Sequence, residues 1–252
     1  MGETDAVLSL LRADLSEPHA HSEVVAFLEK HNRFREAMAQ AEIAYKRFPD
    51  DWRVQADLLR CYERDGWTAE ALTLRRRQFD ASPDVERFQR VLKAASVAGR
   101  DVAAMRIELF AQIEARELAA QSTPVSAFSQ RWASHGNSPA ARNVSLRVAI
   151  LCAEKRWQEA ATLAQPPVIC DIALLRQIAL HLPAAEADQS VALLLRVFEV
   201  LMPRASTPYA DVLALVVDIT KRMESLRRKS WLEGLRSVYK AKRNFIKGLP
   251  HP

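Results

Sequence analysis

The 252-residue sequence predicts an all-α protein, an α-solenoid of antiparallel helical hairpins. Three observations lead there. Alanine, leucine, arginine and glutamate dominate, all good helix formers, and there are only 6 glycines. Apolar residues recur at the i, i+3, i+4, i+7 spacing of a helix face, while the alternation of a half-buried strand is nearly absent. Small residues and prolines return after 34 positions, the tetratricopeptide (TPR) period: Ala37 with Ala71, and Pro49 with Pro83.

Taken in order, Val54, Leu58, Cys61 and Tyr62 share one helical face, as do Val85, Phe88, Leu92 and Ala95, then Val102, Met105, Leu109 and Ile113. The last third repeats the pattern at Val191, Leu194, Leu195, Phe198, Leu201 and Met202, and again at Val212, Leu215, Val216, Ile219 and Met223. Start signals are read at Ser82-Pro83, Thr123-Pro124, Ser138-Pro139 and Thr207-Pro208, each a hydroxyl at an N-cap followed by proline. "SWLE" at Ser230–Glu233 has capping-box spacing. About twelve helices result.

The string "NRFREA" at Asn32–Ala37 is echoed by "KRWQEA" at Lys155–Ala160, and "CYERDGWTAEAL" has the same layout. Each is read as a helix end, a polar turn, an aromatic and then Glu-Ala opening the second helix of a hairpin. Two rods approach closely only where one offers a small side chain, the role assigned to Ala37, Ala71 and Ala160. Pro49 and Pro83 then stop the second helix, because proline lacks the backbone donor. Phe34, Trp67 and Trp157 are expected to plug the hairpin ends. A third unit from Asp84 keeps its turn as "AGRD", with Ala104 one position early. Residues 1–119 form the TPR-like lobe and 120–140, rich in Ser, Pro and Gly, a linker with a short helix around Phe128 and Trp132. Residues 141–252 form a second helical lobe ending in a basic helix.

The run "YKRFPDDWRVQADLLRCYERDGWTAEALTLRRRQFDASPDVERFQRVLKAA", with "KRWQEAATLA" and "YKAKRNFIKGL", resembles the helical region C-terminal to the zinc finger in bacterial SWIM zinc-finger proteins. That resemblance implies a TPR-like array without catalytic residues. The finger itself does not carry over, since Cys61, Cys152 and Cys170 have no Cys or His two positions away. The chain is thus expected to be the helical module alone, free-standing or part of a longer chain.

The chemistry-bearing patterns are few. No nucleophile elbow, phosphate loop or dinucleotide fingerprint occurs, so no enzyme, cofactor or small-molecule substrate is expected. His19 and His21 form a His-x-His pair without a third ligand nearby, so no metal is assigned, and His31 is placed at a helix end. Asp50-Asp51 reads as an N-cap. Three unpaired cysteines point to buried thiols in a reducing, cytoplasmic setting, and the N-terminus lacks a secretory pattern. No stretch approaches the roughly 20 apolar residues of a membrane span. The net charge of +5 conceals an uneven map, because Lys221 to Lys247 alone carries a net +8 and the rest of the chain sums to −3. On one continuous helix, Arg236, Lys240, Arg243 and Lys247 would fall within about 60° of each other. Such a ridge could meet nucleic-acid phosphates, meet an acidic protein surface, or simply complement the helix dipole and aid solubility. The expected function is a non-catalytic helical scaffold or adaptor that binds another protein; the alternative is a nucleic-acid-associated module.

Overall fold

The computed structural model describes residues 3–122 and 141–251. The described residues are all-α, with one isolated bridge between Asn143 and Ile169. Two compact units divide the chain at Leu109/Phe110.

The first unit contains α1 (Glu3–Leu11), α2 (Pro18–Lys30), α3 (Phe34–Arg47), α4 (Trp52–Asp65), α5 (Thr68–Ala81), α6 (Val85–Val97) and the start of α7 (Val102–Ser122). Aspartates open several of these helices. Asp51 accepts from the backbone N–H of Arg53 and Val54, Asp84 from Arg87, and Asp101 from Ala103 and Ala104. Each satisfies donors that the first helical turn leaves unpaired.

The hairpin corners share one device. Asn32, Gly66, Gly99 and Lys155 all take positive φ, and the residue after each donates its N–H to the carbonyl five positions back. Those bonds, Arg33 to Leu28, Trp67 to Tyr62, Arg100 to Ala95 and Arg156 to Leu151, are 2.9 Å each, the longer bond of a Schellman turn. The echo of "NRFREA" in "KRWQEA" now has a physical content. Its first residue turns left-handed, and its arginine forks onto the glutamate three residues on. Arg33 holds Glu36 at 2.6 and 2.8 Å, and Arg156 holds Glu159 at 2.6 and 2.5 Å. Its alanine is buried at the helix crossing, as Ala37 and Ala160 both are.

Consecutive helices pack on one another, α2 on α3, α3 on α4, α4 on α5 and α5 on α6, which makes the first unit a stack of hairpins. Val24, Val25 and Leu28 of α2 share a core with Ala37 and Ala41 of α3 and Leu58, Leu59 and Cys61 of α4. Ala71 of α5 is buried beside them. Pro49 and Pro83 lie just past the ends of α3 and α5, both half-buried.

The second unit holds the rest of α7, then α8 (Ser145–Ala153), α9 (Trp157–Leu163), α10 (Ile172–His181), α11 (Ala187–Leu201), α12 (Ala210–Arg222), α13 (Ser225–Val238) and α14 (Arg243–Gly248). Its core runs from Val148 and Leu151 through Leu175, Ile178, Leu194 and Val197 to Leu215, Ile219, Leu232 and Phe245. Arg147 of α8 is buried and grips Glu117 of α7 at 2.7 Å, tying the two helices through a desolvated pair.

Several sequence expectations change. Fourteen α-helices are present among the described residues, more than the twelve expected, because α1, α9 and α14 are short and the basic C-terminal helix is broken in two. Ser82-Pro83 ends α5 rather than starting α6, since Asp84 is the true cap. Thr207-Pro208 precedes Tyr209, which occupies the N-cap of α12 at φ 62°. Ser230 lies inside α13, so "SWLE" is not a capping box. Ala104 is exposed rather than at a crossing. Of the corner aromatics, Trp157 is half-buried against the core of its unit, whereas Phe34 and Trp67 do not plug their hairpin ends. Phe34 and Trp67 remain 39% and 48% exposed, Phe34 covered by the Arg64 guanidinium at 4.4 Å and Trp67 stacked on Tyr62. Trp157 stacks on His181 at 4.2 Å. The expected linker helix at Phe128 and Trp132, and the Thr123-Pro124 and Ser138-Pro139 caps, lie outside the described residues.

Candidate functional site

Within the first unit, α2 and α4 are joined by large apolar side chains and by Glu29, which takes Arg60 at 2.9 Å and Arg64 at 2.8 Å. The equivalent junction one hairpin on is different. Here α4 and α6 are connected chiefly through α5, and a cleft of about 360 Å³ opens between them. The local sequence explains the opening. On α6 the cleft is lined by Arg90, Lys93, Ala94 and Val97. Counted back from the corner, Lys93 and Val97 correspond to Arg60 and Arg64 of α4, which Glu29 of α2 holds, and Glu63, which corresponds to Glu29, turns instead to Arg75 of α5 at 2.9 Å. Ala71 and Thr68 of α5 complete the lining.

The four α6 residues stand at i, i+3, i+4 and i+7, so they form one continuous stripe. The buried stripe of the same helix is Phe88, Val91 and Ala95. Val97 is 65% exposed at the end of the open stripe. Arg90 pairs with Glu86 on its own helix, whereas no ion pair among the described residues holds Lys93. The cleft therefore carries three cations against one carboxylate, beside an apolar end. No sequence signal exposed this site directly, because it arises from packing that one pair of helices makes and the next does not.

In the second unit the structure separates the four predicted basic residues. The chain leaves helical form at Tyr239 and resumes at Arg243, so Arg236 lies on α13, Lys240 in the turn, and Arg243 and Lys247 on α14. The break lets Tyr239 and Phe245 converge on Phe198, with ring centroids 6.2 and 6.5 Å from it. Arg236 is half-buried and donates to the Pro250 carbonyl at 2.8 Å, fastening the chain end. Lys240, Arg243 and Lys247 are exposed, and no ion pair among the described residues engages them. The single ridge expected on one helix is replaced by a pair on α14 and a lysine at its corner.

His21 is buried; its Nε2–H donates to the Leu15 carbonyl at 3.1 Å and its Nδ1 accepts from Gln40 at 2.7 Å, while His19 is exposed. His31 caps α2 and rests its ring on Phe27. No group of three or more His, Cys, Asp or Glu among the described residues is placed to hold a metal ion. All three cysteines are free and buried. Burial pushes the Cys61 and Cys152 thiols up to about 11 and Cys170 to about 12, so none is poised as a nucleophile. No helix among the described residues is long and apolar enough to cross a membrane.

No family model matches this chain. No curated protein matches it in sequence either. Among solved structures, a chain of the "Structure of Naa15/Naa10 bound to HypK-THB" aligns with 95% of this chain at 14% identity and a TM-score of 0.41. The aligned region spans 35% of that chain, about a third of its length. A superposition this loose bears on neither partner nor reaction.

Proposed function

We propose that the protein is a non-catalytic helical-repeat adaptor that binds a protein partner. The observation that carries this reading is the open junction between α4 and α6, where a helix leaves a full stripe uncovered beside a cleft. Stacked hairpins bury side chains against their neighbours and leave extended surfaces for others, which is the usual use of such arrays. The sealed thiols and locked His21 fit a protein whose interior serves folding. Three free, buried thiols suit a reducing compartment such as the cytoplasm. The resemblance to the helical region of bacterial SWIM zinc-finger proteins belongs to the same proposal.

The test is affinity capture from the native cell with the full chain and an Ala94→Trp variant, which fills the cleft. A stoichiometric partner recovered by the wild type and lost by the variant, with both folded by circular dichroism, is the expected result. Equal recovery by both removes the cleft from the function.

A second reading has its own observation. Lys240, Arg243 and Lys247 are exposed without carboxylate partners among the described residues, and in that setting they favour phosphate contact. It makes the protein nucleic-acid-associated through its C-terminal end.

A further inference from the structure

We infer that the α4–α6 cleft receives an acidic segment of the partner protein, one in which carboxylates flank an aliphatic side chain. The inference rests on the adaptor reading and adds the chemistry of what is bound. Its basis is the order of residues along the uncovered stripe of α6. Arg90 and Lys93 come first, then Ala94, then Val97, so charge and apolar surface are one helical turn apart.

The charges are available to a ligand. Lys93 is exposed and has no ion pair among the described residues, so its neutralisation by an incoming carboxylate displaces none of them. Arg90 holds Glu86, whose side chain is 72% exposed, and Arg75 holds Glu63, which is 54% exposed. Pairs this exposed contribute little, so a partner carboxylate can exchange with Glu86 or Glu63 at small cost. Complementary charge also sets encounter rate and rejects basic segments. The apolar end does what charge cannot: Val97, exposed beside Ala94, gains only if an aliphatic group covers it. A nucleic acid would use the cations but offer nothing aliphatic to Val97. The cleft volume of about 360 Å³ lies at the small end of the roughly 300–1,000 Å³ of ligand sites, so it takes a few side chains rather than a helix.

The experiment uses the full chain and short fluorescein-labelled peptides read by anisotropy at low salt. One probe has a leucine flanked by glutamates, the second has glutamine in place of glutamate, and the third serine in place of leucine. The first peptide is expected to bind, and the other two to bind at least about tenfold more weakly. Lys93→Glu should lose binding by a similar factor and Lys93→Arg retain it, while Lys46→Glu, an exposed lysine outside the cleft, should leave it unchanged. Failure of the Glu-Leu-Glu peptide to bind overturns the inference, as does equal binding of the glutamine peptide or by Lys93→Glu. Displacement by a single-stranded oligonucleotide with no dependence on leucine also overturns it. If Ala94→Trp loses the captured partner but Lys93→Glu keeps it, the adaptor reading stands and the acidic chemistry falls. If both variants keep it, both fall.

Discussion

His19 and His21 are two positions apart, yet only one of them belongs to the interior. Burial is the largest influence on the His21 ring and moves its pKa below the ordinary 6.5; the Leu15 hydrogen bond opposes this and the Arg47 charge adds to it. The folded protein thus holds the neutral ring, with its proton on Nε2 and Nδ1 accepting from Gln40. A histidine with a depressed folded pKa stabilises fully above its unfolded value, and that contribution is lost as pH falls below about 6.5 toward the folded value. The free energy of urea unfolding is therefore expected to drop between about pH 7 and 5, with a slope of at most about 1.4 kcal/mol per pH unit from this group. His21→Gln should flatten that slope, and an unchanged slope would mean the ring is not buried in solution. The arginine-held carboxylates Glu36 and Asp65, whose pKa values lie below 4.5 and 3.8, titrate under more acidic conditions and leave this window to histidine. The sequence showed the pair but not the difference between its members, because burial is set by the Leu15 carbonyl and Gln40, 6 and 19 residues away.

At the scale of helices, Ala37 and Ala71 occupy matching positions of successive hairpins but different surroundings. Ala37 is fully enclosed between α2, α3 and α4, whereas Ala71 lines the cleft. Enlarging Ala37 to leucine should cost about 1–3 kcal/mol by overpacking. Ala71→Leu should cost distinctly less, since the added carbons can extend into open space. Urea unfolding at constant m-value measures both; equal losses would show that α4 and α6 close together in solution. The apolar stripes were legible because period and burial coincide: Val54, Leu58 and Cys61 are buried, as are Val212, Leu215, Val216 and Ile219. Helix starts were less legible. Hydroxyl-proline pairs are equally suited to leaving a helix, and at Ser82-Pro83 that is their use, with Asp84 one residue on doing the capping. The break at Tyr239 was hidden because residues on both sides keep helical period. What interrupts them is an aromatic cluster built around Phe198, about 40 residues earlier in the chain.

Over the whole molecule, charge is divided by position along the chain, and the cationic excess gathers at the C-terminal end. If that end meets nucleic acid, binding should fall linearly on a log–log plot against salt, with a slope near 0.9 per phosphate neutralised on a duplex. Replacing Lys240, Arg243 and Lys247 with glutamate should abolish a gel shift seen at low salt, and the absence of any shift by the wild type would end that reading. Arg236 is left out of the set because it is committed to Pro250. The all-α architecture was legible from composition and period together. The site was not, since a cleft is a property of what two helices fail to bury. One local feature reaches further. A hairpin corner here is closed by the main-chain bonds of a Schellman-type turn, and at Arg33 and Arg156 also by a fork to the glutamate three residues on, with asparagine, glycine or lysine at the bend. The acceptors upstream of the bend are main-chain carbonyls that any residue supplies, and the fork is internal to the string, so the segment is suited to grafting: exchanging the Asn32–Ala37 and Lys155–Ala160 strings between the two units would transplant the bend and its fork together.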